Sequence, residues 1–416
     1  VTRVLLLLPT TSYRIPDFLA AAERLGVDVT VASDEPSTME PLNRAGLLTL
    51  DFDDPVASAA AAARFAETHP IAAVVGVDER TAVAAAAIAE RLGLAHDAVE
   101  AVRAAGNKAL LRSALALAGA PSPGHRVFSL DDDPRAAASA VRYPCVVKPT
   151  FLAASRGVIR ADDAGSFVNA WSRIAAILAD PEVAQRGGAS AREILVEDYV
   201  PGAEVSLEGL LTRGRLRVLA LFDKPDPLEG PFFEETIYVT PSRLPDDLQS
   251  LCAQVAEGGC RALGLRHGPV HAELRVNEDG VWIVEIAARS IGGLCSRALR
   301  FDTGASLEEL VLLQALGREP ADEREHSASG VLMIPIPKGG VLEAVRGVDA
   351  ARGIPNVVDV TISIRPGQKV VPLPEGDRYL GFVFSRASTP ERAEAALREA
   401  HARLEFDIRE DPQSGD

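Results

Sequence analysis

Apolar and polar side chains alternate on both sides of Asn-Glu-Asp-Gly in VHAELRVNEDGVWIVEIAAR, residues 270–289, which is the period-two pattern of a half-buried β-hairpin. With Asn277 opening a type I turn and Gly280 in the left-handed position of a three-residue loop, Asn277 pairs with Val281 and Glu273 falls opposite Glu285. The same count predicts a core face of Ala272, Leu274, Val276, Trp282, Val284 and Ile286. Two carboxylates with Cβ atoms about 5 Å apart repel each other, so a cation is expected between them. A divalent ion held by oxygen ligands meets that need, as does Arg275 or Arg289 on the same face. The alternative is a solvated strand face with a chance acid pair. His271 also falls on the acidic face, as a hydrogen-bonded structural histidine or as a substrate or metal contact.

The same reading of periods organises the rest of the chain. Apolar runs at 3–9, 27–33 and 71–77 alternate with amphipathic helical stretches at 16–25 and 78–92, the second closed by Gly93. Strands separated by helices pair in parallel with right-handed crossovers, so residues 1–104 are predicted to form a small doubly wound α/β domain. Its loops TTSYR and VDER sit where such sheets bind ligands, but no GxGxxG is present. Further on, the spacing predicts a helix over 107–118, a buried strand in YPCVVKP, an exposed loop over 185–193, and strands around the Pro201-Gly202 and Arg213-Gly214 turns. DKPDPLEGPFFEE (223–235) has no period and reads as a long loop near a pocket. A helix over 245–263 precedes the hairpin. From about residue 330 a mixed α/β unit begins, ending in a charged helix over 390–404 and a polar tail.

Composition narrows the chemistry. The 416 residues carry a formal charge of −16 with no concentrated run of lysine and arginine, which disfavours nucleic acid and anionic membrane surfaces and favours small-molecule partners. Cys145, Cys252, Cys260 and Cys295 lack metal-finger or CxxC spacing, so reduced thiols in a cytoplasmic setting are expected. The opening VTRVLLLLP is too short an apolar run for a signal peptide or membrane span.

Several polar residues interrupt apolar patterns. Lys148 closes a buried strand just before Pro149, where an ammonium needs an anion such as phosphate or must snorkel to water. Lys108 stands near a helix start and, taken alone, reads as a solvated helix residue before it reads as an anion contact. TFLAASRGV (150–158), which contains Ser155, offers backbone N–H groups to a phosphate or serves as an ordinary loop. Glu197 and Glu204 flank a turn in LVEDYVPGAEVS. Arg289, followed by Ser-Ile-Gly-Gly, suits a bidentate anion contact.

The ordered set Lys108, Lys148, VEDYVPGAEVS, Glu273, Glu285 and Arg289, behind a small α/β domain, resembles the ATP-grasp superfamily. The resemblance implies an ATP-grasp architecture within the α/β class: the doubly wound parallel-sheet domain at 1–104, a two-lobed nucleotide-binding domain at 105–329 and a small C-terminal α+β unit at 330–416. The small lobe would cover about 115–198 and the large lobe about 199–329. Lys108, Lys148 and Ser155 would meet ATP phosphates; Glu197 and the backbone of Asp198, Tyr199 and Val200 would receive adenine; Glu204 would take the ribose. Glu273 and Glu285 match magnesium ligands, with manganese as a substitute. Arg289, with the Gly292 and Gly293 amides, matches the group that steadies an acyl phosphate. The pattern E-x-N-x-R is broken by Ala287, and alanines stand in the phosphate loop where glycines are common. E-x-A-A-R with a following Gly-Gly, the GPFFEE loop and YLGFVFSRASTPERAEAALREAH are similar to bacterial L-amino acid ligases, the dipeptide synthases. This narrower likeness implies an ATP-dependent carbon–nitrogen ligase acting on a carboxylate and an amine, both amino acids, with Glu235 and His271 as substrate contacts and a homodimer as one assembly. A carboxylase-like or purine-pathway-like enzyme, or an ATP-binding sensor without turnover, is the alternative.

Overall fold

The computed structural model describes residues 2–10, 12–40, 42–43, 45–301, 304–319 and 327–410. Thr11 of the first loop and the end of the polar tail, 411–416, lie outside the described residues. Strands β1 (Arg3–Leu7), β2 (Asp28–Ser33), β3 (Leu47–Thr49) and β4 (Ala73–Gly76) form a parallel sheet in the order β3-β2-β1-β4. The run VLLLL is apolar throughout because both faces of β1 are covered. Leu5 and Leu7 pack toward helices Pro55–Ala66 and Glu79–Arg91, whereas Val4, Leu6 and Leu8 join Phe18 and Ala22 of helix Ile15–Leu25. Strand β3 has only three residues, too few to show a period.

Strands β5 (His125–Ser129), β6 (Cys145–Pro149), β7 (Ile159–Ala161) and β8 (Glu193–Asp198) form a separate antiparallel sheet in the order β5-β8-β6-β7. Helix Ala164–Leu178 buries Phe167, Trp171 and Ile174 against it. The loop expected over 185–193 is instead the end of helix Pro181–Gly187 followed by a 3-10 turn, Gly188–Arg192. The overlooked signal is Asp180-Pro181: the Asp180 carboxylate accepts from the N–H groups of Glu182 and Val183 and starts the helix.

The remaining strands are β9 (Ala203–Thr212), β10 (Arg215–Asp223), β11 (Ile237–Thr240), β12 (Gly268–Asn277), β13 (Gly280–Ala287), β14 (Ala328–Ile334), β15 (Gly340–Arg346), β16 (Val357–Ile362), β17 (Lys369–Val370), β18 (Gly381–Ala387) and β19 (Glu405–Arg409). Eight of them form one sheet in the order β13-β12-β9-β10-β11-β14-β18-β16, and β17-β15-β19 form a smaller one. The C-terminal segment therefore extends the central sheet through β14, β18 and β16. All four cysteines are buried and unpaired. Among the described residues no helix is long and apolar enough to cross a membrane.

The hairpin departs from expectation in two ways that cancel. Asn277 pairs with Gly280, not Val281, so the loop has two residues; a β-bulge between Glu273 and Leu274 then shifts the register and brings Glu273 opposite Glu285. Val281 and Ile283, not Trp282 and Val284, fill the core, while Ile286 beyond the bulge keeps its inward face. Val284 is thereby released to line the cavity described below.

Gly202 joins the two central sheets at φ +121°, and a Cβ there would meet the Val276 carbonyl oxygen at 2.3 Å. Gly202→Ala is expected to cost about 1–3 kcal/mol, read from urea unfolding midpoints; an unchanged midpoint would show that the approach relaxes freely.

The small sheet is also tied to the C-terminal segment. Gly157 N–H donates to the Pro374 carbonyl at 2.8 Å. Arg173 makes a bidentate pair with Glu375 at 2.8 and 2.9 Å, and Arg156 approaches Asp377 at 3.7 Å.

Candidate active site

A cavity of about 300 Å³ opens between the two central sheets. Lys108, Lys148, Ser155, Glu197, Asp198, Tyr199, Val200, Glu204, Glu235, His271, Glu273, Glu285, Arg289, Gly292 and Gly293 all line it. Every residue singled out from the sequence as a site candidate is thus brought to one place. The partners that hold them there were mostly not foreseen.

On the small-sheet side, Asn107 caps helix Lys108–Leu117 by accepting from the N–H groups of Ala109 and Leu110. The Lys108 ammonium donates to the Leu152 carbonyl at 2.7 Å and lies 3.3 Å from Glu285. One turn along the same helix, Arg112 is fully buried and donates through Nε to Glu197 at 2.7 Å and through Nη2 to the Val284 carbonyl at 2.5 Å. Lys148 pairs with the other Glu197 oxygen at 2.7 Å. Burial lowers the Lys148 pKa against the pull of Glu197. Burial works against the Glu197 charge too, but Arg112 and Lys148 hold its pKa below the ordinary value. Two cations share one anion here, so the dry corner keeps a net positive charge, suited to an anionic ligand. Arg112 was missed in the sequence, although it lies four residues after Lys108 on the same helix face.

The loop 150–158 carries Ala154 and Ser155 at φ 54° and 56°. Two consecutive non-glycine residues in the left-handed region are strained by roughly 1–2 kcal/mol each. The N–H groups of Asp198 and Tyr199 donate to the Gly124 and Pro144 carbonyls at 2.8 and 3.2 Å. Arg160 and Arg275 lie over the Tyr199 ring at 4.3 and 5.3 Å.

On the large sheet, Lys224 is the main surprise. Its ammonium lies 2.7 Å from Glu204 and 3.6 Å from Glu273, and it bonds Glu235. Carboxylate oxygens of those three acids come within 4.8 Å of one another. Glu204 accepts from Arg275 as well, at 2.9 Å, so both its oxygens are engaged by protein cations. Cations therefore do sit on the facing acids: Lys224 on Glu273 and Lys108 on Glu285. Arg275, one of the two arginines expected there, is directed to Glu204, the Val200 carbonyl and the Leu228 carbonyl. The signal for Lys224 was available. It closes an apolar strand immediately before a proline, as Lys148 does.

Burial pushes the Glu235 carboxyl up to about 7, with Glu273 adding to the effect and Lys224 opposing it. His271 bonds Glu208 through Nδ1 and lies 3.4 Å from Glu273 through Nε2. Burial disfavours its charge, but Glu208 and Glu273 more than offset this and raise its pKa to about 9. The imidazolium thus bridges two carboxylates. Glu208, also missed, accepts from the Ile291 N–H at 3.0 Å and so fixes the Ser-Ile-Gly-Gly loop. Arg289 donates to Glu79 at 3.1 Å and to the Ser290 carbonyl at 3.0 Å. Glu79 comes from the first helix position after β4, so the loop VDER of the N-terminal sheet reaches the cavity, where Asp78 and Glu79 line the wall. Ala287 pairs with His271 and is fully buried, offering no oxygen to the cavity.

Residues 141–298 match the ATP-grasp domain model, 19–96 the ATP-grasp N-terminal domain and 332–409 the L-amino acid ligase C-terminal domain 2. The chain is 25% identical over 415 residues to the uncharacterised protein y4rH of Sinorhizobium fredii, covering 98% of this chain and 83% of that one. It is 28% identical over 235 residues to alanine–anticapsin ligase of Bacillus subtilis; that match takes in 54% of this chain and spans only 49% of the relative's length. The crystal structure of an L-amino acid ligase from Bacillus licheniformis superposes with a TM-score of 0.82 at 26% identity, covering 98% of this chain and 99% of that one.

Proposed function

Since the chain belongs to the ATP-grasp superfamily and is an ATP-dependent ligase, we propose that it joins the carboxylate of one amino acid to the amino group of another, with ADP and phosphate as co-products. The observation that carries this reading is the joint presence of a net-positive nucleotide corner and an L-amino acid ligase C-terminal segment, whose Met333, Tyr379 and Phe382 line the same cavity. A carboxylate oxygen attacks the γ-phosphorus of ATP; the bond to the β–γ bridging oxygen breaks and ADP leaves. The amine then attacks the acyl phosphate carbonyl carbon, the C–O bond to phosphate breaks, and the amine's proton is lost.

Lys108 and Lys148 meet the phosphates, positioned rather than mobile because Lys108 is bonded to the Leu152 carbonyl and Lys148 to the Glu197 carboxylate that Arg112 also holds. The Val200 N–H is the donor this stretch offers adenine, beside the Tyr199 ring. Arg289, oriented by Glu79, and the Gly292-Gly293 amides face the oxyanion of the addition step. Glu235 receives a substrate ammonium. Glu273 and Glu285 fit a magnesium ion as facing hard-oxygen donors and would hold it in place of the ammonium groups of Lys224 and Lys108 that now neutralise them. When bound, such an ion neutralises charge moving between phosphate oxygens.

The test is a matrix of amino acid pairs with ATP and magnesium, read by phosphate release and product mass. Dipeptide mass together with pair-dependent phosphate is the expected result. ADP formed only with bicarbonate or a ribonucleotide would overturn the reading in favour of carboxylase-like or purine-pathway chemistry.

A pH dependence follows from Glu235. Its carboxyl gains a proton as pH falls through about 7, and the charge that holds an ammonium is lost. KM for the amino acid it binds should therefore rise below that pH, while Glu235→Gln should have a high KM that is flat across the same range. A wild-type KM that does not change between pH 6 and 8 would contradict this.

A further inference from the structure

The cavity wall carries two kinds of chemistry. Lys108 and Lys148 bring charge, while Tyr238, Met333, Tyr379 and Phe382 bring apolar area. These come from adjacent strands: β11 pairs β14, and β14 pairs β18, with Met333 directly across from Phe382 and Tyr238 across from Val331. Positions 331 and 333 lie on the same face of β14, so Tyr238, Met333 and Phe382 project from one side of the sheet. Tyr238, Met333 and Phe382 are 2%, 4% and 1% exposed and belong to a core that also holds Ile291, Leu294 and Cys295. One edge of that core therefore borders the cavity.

Such a surface gains from apolar area placed on it and offers a charged side chain at most a tyrosine hydroxyl, of which that of Tyr238 is already bonded to Glu235, so it penalises burial of a charge. Met333 adds adaptability, since an unbranched thioether fits irregular shapes. The wall's border carries the two groups that orient an amino acid's backbone. Glu235 stands three residues before Tyr238, whose hydroxyl it bonds. Arg289 leads into Gly292 and Gly293, and a Cβ at 293 would press on the Phe382 ring at 3.1 Å. With its ammonium at Glu235 and its carboxylate or acyl carbon toward Arg289, a substrate has its side chain left for the wall.

We propose that Tyr238, Met333, Tyr379 and Phe382 form the side-chain pocket for one of the two amino acids joined, and that this pocket selects large apolar side chains, aliphatic or aromatic, over small, acidic or basic ones. The proposal rests on the amino acid ligase reading and adds its substrate class. It also gives the C-terminal segment a share in specificity, because three of the four wall residues come from it.

The experiment uses the full chain with ATP and magnesium and a panel of glycine, alanine, leucine, methionine, phenylalanine, aspartate and lysine, each paired with every other. Phosphate release gives kcat/KM, and product mass gives the position of each residue. At one of the two positions leucine, methionine or phenylalanine should exceed glycine, aspartate and lysine by about tenfold or more. Met333→Phe, which fills the pocket, should move the preference at that position toward alanine by about tenfold, with KM for ATP unchanged. Tyr379→Ala, which enlarges it, should move it toward phenylalanine. A wild type that favours charged or small side chains at both positions overturns the pocket but leaves the ligase reading intact, as do variants that slow every substrate equally while binding ATP normally. If no amino acid pair yields phosphate, the ligase reading itself fails and the pocket with it.

Discussion

Glu285→Gln is expected to lower kcat by about 10²–10³-fold with little change in the unfolding midpoint. Glutamine keeps the shape of the side chain and its place opposite Glu273, but it removes the charge that faces Lys108 at 3.3 Å. Burial and the neighbouring Glu273 oppose that charge, but Lys108, Arg289 and Lys148 together outweigh them, so the Glu285 pKa is held below its ordinary value and the group is ionised at neutral pH. Loss of this fixed negative charge removes one of the two proposed magnesium ligands and unbalances Lys108 in the same step. Phosphate release under saturating substrates measures the effect. A variant working within threefold of the wild type would remove Glu285 from the chemistry.

The largest effect on stability is expected at Glu197. In Glu197→Gln, the fully buried Arg112 and the nearly buried Lys148 lose the one anion they share. Breaking a buried ion pair so that a charge is left unpaired costs about 3–5 kcal/mol. Denaturant unfolding should show that loss, and KM for ATP should rise because the corner loses its geometry. The sign with pH is fixed by the direction of the shift. The folded pKa of Glu197 lies below its ordinary value of 4.5, so its contribution is complete above that value and disappears only as acid titrates the group through its lower folded value. A loss under 1 kcal/mol at pH 7 would mean that water reaches the triad and the corner is not dry.

The fold was legible wherever one period persisted. The parallel strands of the first sheet and the long helices Asp246–Leu263 and Pro390–His401 could be read because burial on one or both faces writes itself into spacing. β3, with three residues, and the helix begun by Asp180-Pro181 could not, since the first is too short for a period and the second is marked only by its cap. The hairpin teaches more. Its acid pair was located correctly from a wrong turn length, because the bulge that compensates has no signature in alternation alone. At the site, residues that line the cavity could be named from the sequence, but the buried partners Arg112 and Glu208 and the cavity-lining Glu79 could not be separated from surface charges. What distinguishes them is which strand or helix lies opposite, and spacing along one element does not report that. Lys224 is the exception: its strand-end lysine before proline repeats the pattern of Lys148.

The contacts from Gly157, Arg173 and Arg156 to Pro374, Glu375 and Asp377 fasten the phosphate loop and its sheet to the last quarter of the chain. They are one backbone hydrogen bond and two partly exposed ion pairs, and the ion pairs each contribute only about 0.2–1 kcal/mol and weaken in salt. Any swing of the small sheet that admits ATP or frees ADP must first undo them. Loosening of that sheet from the C-terminal segment is therefore expected to become easier as ionic strength rises.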